Sequence, residues 1–239
     1  MNSRVATDFP CVRKPDSYRS AVNVLTSNFI SPLQVIQVYR NVGYPHEFQY
    51  LTGQTNAFSD NLPTLETLQW LQANDYILVA SPPYELSIVQ LVELDSTMFF
   101  QRNDGWFRDA NVPFSKDVVP AGQWLMMSSK PYVNSRNKTL SNQLKVIAQK
   151  TPSDQLKHLA QEEYVPNAAV VSYVTLMYWK VWQKRMLEGV QVRTSSIAEA
   201  GHHVTVGLND GHGMNIGRYG DGRRYGSVGI VTAVKSIKV

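Results

Sequence analysis

A single cysteine, Cys11, in 239 residues excludes an intramolecular disulfide and any zinc or iron–sulfur centre built on several thiolates. Nothing around Cys11 is arranged to make it a thiolate, so it is not read as a nucleophile. No run approaches the ~20 apolar residues that span a bilayer, and the opening MNSRVATDFP is not a secretory signal. Charged residues make up 18% of the chain and aromatics 10%, a balance that argues against extensive disorder. Catalytic signatures are missing as well: there is no GxxxxGKS/T, no HExxH, no GxSxG and no CxxC. The glycine-rich GHGMNIG at 211–217 precedes no plausible helix, so a dinucleotide-binding reading fails on context. Asn137-Lys138-Thr139 matches a glycosylation sequon, a coincidence in a chain with no secretory features. These absences lead us to expect a soluble, cytoplasmic, globular protein without a membrane partner.

What is present is enough to fold. Hydrophobic residues make up 43% of the chain, and a chain of this length buries roughly 70% of its unfolded surface. The net charge of +4 is unevenly divided. Residues 1–129 hold 8 Lys and Arg against 12 Asp and Glu, whereas residues 130–239 hold 15 against 7, nets of −4 and +8. Clustered cations raise the local concentration of phosphates or acidic partners, although two halves can also neutralise each other inside one fold. All 12 prolines lie at or before Pro166, while nine of the 14 glycines lie between Gly201 and Gly229.

Periodicity divides the chain along the same line. Residues 1–25, with Pro10, Pro15 and several charges, read as an irregular N-terminal arm. Residues 26–239 read as a single α+β domain, with helices largely in 30–95 and 140–188 and antiparallel strands around 98–128 and 190–236. Ser31-Pro32 is a helix start, with Leu33, Ile36 and Tyr39 on one face. Ser81-Pro82-Pro83 opens another helix, and YILVA at 76–80 is a buried strand. Asn103-Asp104-Gly105 between aromatic pairs predicts a hairpin. The run AAVVSYVTLMYW after Asn167 predicts a helix buried on several sides and capped by that asparagine. Its Met177, Trp179 and Trp182 are core rather than a cofactor pocket. After Gly189 the period becomes alternating, which predicts a glycine-rich C-terminal β meander against which the helices pack.

Two segments in that basic half carry candidate chemistry. GRYGDGRRYG at 217–226 interleaves Arg218, Arg223 and Arg224 with Tyr219 and Tyr225. Guanidinium forks grip phosphate or carboxylate, tyrosines stack on bases, and glycines let backbone amides approach a ligand. Arg193, followed by Thr194 and Ser195 at a strand end, is a further oxyanion holder. The second segment places His202, Asp210 and His212 within one hairpin, where two imidazoles and a carboxylate across the turn would suit a divalent ion that activates water. Turn-forming residues and surface histidines are the ordinary explanation of that cluster.

The motifs GWF at 105–107, PNAA at 166–169, VRTSS at 192–196 and the tail VTVGL…GMNI…GRRYGSVG together resemble a family of uncharacterised bacterial proteins. The resemblance spans about the last 160 residues, implies a bacterial source and a single unit, and brings no functional residue with it. The expected function is therefore that of a non-enzymatic binding or accessory protein without a cofactor. Its basic C-terminal half would meet nucleic acid or a phosphate-bearing ligand. The alternative is a metal-assisted hydrolase built on His202, Asp210 and His212. Nothing in the sequence sets an oligomeric state.

Overall fold

The computed structural model describes residues 16–41, 50, 52–100, 105–149 and 163–235. Its helices are α1 (Asp16–Leu25), α2 (Pro32–Asn41), α3 (Thr52–Asp60), α4 (Leu65–Ala73), α5 (Ile88–Leu94), α6 (Leu140–Ala148) and α7 (Ala168–Trp182). Local chemistry sets their starts. Ser31 and Gln34 form a reciprocal cap on α2, with Gln34 N donating to Ser31 Oγ at 3.3 Å and Ser31 N to Gln34 Oε1 at 2.9 Å. Ser87 and Gln90 repeat the device on α5, so this helix begins after Ser87 rather than at the prolines 82 and 83. Thr64, Thr139 and Asn167 cap α4, α6 and α7.

The strands build an α+β fold of mixed and antiparallel sheets. The first sheet runs β1 (Phe29–Ile30), β2 (Tyr76–Ala80), β5 (Trp124–Ser128), β11 (Ala233–Val234), β6 (Glu163–Tyr164), with β1 and β2 parallel and the other pairs antiparallel. The second runs β10 (Val228–Ile230), β7 (Gln191–Glu199), β8 (His202–Asp210), β9 (Gly213–Gly220). Strands β3 (Leu86–Ser87) and β4 (Val118–Val119) form a small pair of their own.

Helix α7 is the hub between the sheets. Its residues 168–177 are all buried, and it packs on α2 and α5 as well as on β1, β4, β7 and β8. The Tyr173 hydroxyl crosses to the first sheet and donates to the Ala80 carbonyl at 2.7 Å. One hydrophobic cluster runs through both sheets and through helices α1 to α5 and α7. The helix stops at Gln183, which takes a left-handed conformation at φ 54°, short of the expected helical limit at residue 188.

Three expectations need correction. Residues 16–25 are not part of an irregular arm: Asp16–Leu25 is a helix, because Tyr18, Ala21 and Leu25 recur at helical spacing and α1 packs on α4. Residues 1–15 of the expected arm lie outside the described residues. The hairpin expected around residue 103 is not formed by its second limb. Gly105 is left-handed and Trp106–Arg108 is a 3-10 turn, whose rings pack on Phe99 and Phe114 rather than across a ladder; residues 101–104 are outside the described set. Finally, β7–β8–β9 is the expected antiparallel meander, but the chain does not continue it. Strand β10 returns to the far side and pairs parallel with β7, and three residues later β11 enters the first sheet between β5 and β6.

Candidate anion-binding surface

The second sheet has one apolar and one polar face. Val192, Val204, Val206, Met214 and Ile216 are buried towards the core. Across the ladder Arg193 lies opposite Thr205 and Gln191 opposite Gly207, so these residues share the other face. Helix α6 and the loop 131–139 cover its β10 edge. Gln143, the buried residue of α6, donates from Nε2 to the Ser135 and Val228 carbonyls at 2.8 and 3.1 Å. Gly229 is obligatory here, since a Cβ would stand 2.8 Å from Pro131 Cβ.

Arg193 is the centre of this layer and is fully buried. Its Nη1 donates to the Lys138 carbonyl at 3.2 Å and to Gln143 Oε1 at 2.8 Å. Its Nη2 donates to the carbonyls of Gly220 and Arg223 at 3.0 and 3.1 Å. The guanidinium also lies 5.8 Å from the Tyr225 ring centroid. Burial pushes its pKa down from the ordinary value, an effect opposed by Asp221 and Tyr225. Nη1 and Nη2 of Arg193 are thus taken up by three carbonyls and the Gln143 amide oxygen, and its Nε is buried without a partner, so the side chain is closed off from the surface. It belongs among the residues that shape the surface, a correction to its reading as an anion ligand.

What Arg193 does is bind two turns to each other. The 136–138 turn and the 221–225 turn meet on its two nitrogens, and two backbone hydrogen bonds complete the joint. Asn137 N donates to the Tyr225 carbonyl at 3.0 Å and Leu140 N to the Asp221 carbonyl at 2.9 Å. Asn134 and Asn137 adopt left-handed φ angles of 61° and 54°, which asparagine tolerates better than most side chains. Arg136, Arg223 and Arg224 are exposed on these turns and Lys138 is half-buried. Among the described residues no carboxylate pairs with Arg223 or Arg224. Asp221, the acidic residue of the turn, is engaged instead by His203 Nδ1 at 2.9 Å.

Of the other expected ligands, Tyr219 and Tyr225 are half-buried and form an edge-to-face pair, centroids 4.5 Å apart at 80°. Arg218 is exposed as well, but it stands on β9 and has partners of its own. It reaches Glu199 at 3.6 Å and lies 5.4 Å from the Trp106 ring centroid. The expected metal cluster is separated by the hairpin that was to assemble it. His202 and Asp210 are the two ends of β8, paired with Gly220 and Gly213 respectively, and nine strand residues span about 26 Å. His212 lies in the turn beyond Asp210, its ring 6.4 Å from that of Phe100, while His202 faces Glu199 at 3.7 Å. Among the described residues no group of three or more His, Cys, Asp and Glu side chains is placed to hold a metal ion. Sequence reasoning missed Arg136, Lys138 and Gln143. The first two stand in the polar stretch 130–138, where the only signal is two cations beside turn-forming asparagines.

No helix among the described residues is long and apolar enough to cross a membrane. Comparisons with protein-family models, with curated proteins and with solved structures found no match.

Proposed function

We propose that this chain is a non-enzymatic, cytoplasmic binding protein that engages an anionic, phosphate-bearing partner through the joined 136–138 and 221–225 turns. The observation that carries this reading is the pair Arg223 and Arg224, exposed and without a described carboxylate, on a turn clamped by a buried arginine. Folding already sets the backbone of this turn, so an anion has only the exposed side chains left to order, at about 0.5–1.5 kcal/mol each. Lys138 and Arg136 on the facing turn extend the same field. The test is calorimetric titration with inorganic polyphosphate at low salt, on wild type and on Arg223→Gln/Arg224→Gln. Loss of two charge-assisted contacts weakens binding about tenfold or more, with the thermal melt unchanged. Equal affinity of the two proteins, or no binding by either, would sink the reading.

A further inference from the structure

Resting on that anion-binding reading, we propose that the partner is single-stranded nucleic acid, with phosphates on Arg136, Lys138, Arg223 and Arg224 and a base against the Tyr219–Tyr225 pair. Three observations favour it. The cations are delivered by two separate turns whose carbonyls, Lys138 O and Arg223 O, share one guanidinium. Their side chains leave this joint at the surface rather than converging on a buried point. A divided, outward-facing set of charges suits an anion that repeats along a chain better than one small phosphate, which a concave site would enclose. Beside them, Tyr219 and Tyr225 meet at 80° and remain partly exposed, so part of their ring surface stays available for stacking. Stacking of this kind needs unpaired bases, because a duplex keeps its base faces covered. The third observation is that Asp221, the carboxylate on the same turn, is hydrogen-bonded to His203 at 2.9 Å, and no ion pair among the described residues joins it to Arg223 or Arg224.

The experiment measures fluorescence anisotropy of a labelled oligothymidylate of about 16 nucleotides over a salt series. The same chain competes with an unlabelled duplex, inorganic polyphosphate and anionic phosphatidylserine vesicles. Four phosphate contacts predict a slope of log K against log salt of about −3, falling to about −1.4 in Arg223→Gln/Arg224→Gln. Tyr219→Leu should weaken oligothymidylate binding about tenfold while leaving polyphosphate affinity unchanged. Tyr219→Phe keeps a ring and should retain wild-type binding, which separates stacking from any damage to the fold. If polyphosphate competes as well as oligothymidylate and Tyr219→Leu changes neither, the anion-binding reading survives and this proposal falls. It falls too if the duplex or the vesicles compete better than the single strand. Binding of none of the probes at low salt overturns both.

Discussion

The two sheets bury their residues by opposite means. In the first, every residue of β2 and β5 is buried, and the strands are Tyr-Ile-Leu-Val-Ala and Trp-Leu-Met-Met-Ser. In the second, the buried outer face is Gln191, Arg193 and Thr205, with Thr205 Oγ1 donating to Gln191 Oε1 at 3.1 Å. Apolar packing is undirected and tolerates shape changes of volume-conserving kind. A polar layer is directional: each partner must be where the donor points. The first sheet consequently holds the body together, whereas the second fixes particular loops in particular places. A surface made of turns is best supported by the directional kind.

Substitutions in the two layers test that contrast. The largest effect is expected for Arg193→Ala, which leaves four oxygens without their charged donor and should cost about 3–5 kcal/mol in urea unfolding. A cost below about 1 kcal/mol would mean that the polar layer does not hold the turns. In the apolar body, Tyr173→Phe removes one buried hydrogen bond to Ala80 and should cost about 1–3 kcal/mol, a smaller loss from the more central residue.

A third test uses pH. Burial alone would raise the Asp95 carboxyl, but the Lys180 ammonium and the Thr97 hydroxyl outweigh it and hold the pKa below its ordinary 3.8. The folded value being depressed, its contribution is complete above the unfolded pKa and disappears as pH falls through the folded one. Asp95→Asn should therefore be less stable than wild type at pH 6, and the two unfolding midpoints should converge below about pH 4. A gap that widens on acidification would contradict the pairing. The smallest effect belongs to Arg223→Gln/Arg224→Gln, which should change stability by no more than about 0.5 kcal/mol because both side chains are exposed.

Much of the body was legible because its signals are local. Asn167 and Ser31 cap the helices they appeared to cap, and YILVA is a buried strand. The alternation after Gly189 is the β7–β8–β9 meander. What escaped depends on partners far away in sequence. SVGIVTAVK looks like one strand, and only the competing edges of β7 and β5 divide it between two sheets. For the site, glycine and arginine spacing located the 217–226 segment, the end of β9 and the turn after it, but could not say which guanidinium turns inward. Arg193 goes in because Gln143, Lys138, Gly220 and Arg223 meet it there. The histidines failed for a metric reason: nearness in sequence along an extended strand is distance in space.

The division of the last strand has a consequence for synthesis. Ser128 and Thr232 bond each other across 104 residues, Ser128 N to the Thr232 carbonyl at 2.9 Å and Thr232 N to Ser128 Oγ at 3.2 Å. On a ribosome, β5 emerges long before β11 and waits with an unfilled edge, and β6 cannot join the sheet until β11 has bridged the gap. Closing so long a loop is slow and entropically costly. Until β11 arrives, the β5 edge of the apolar β2–β5 pair has no partner strand, and an unpaired apolar edge is the kind of margin on which chains aggregate.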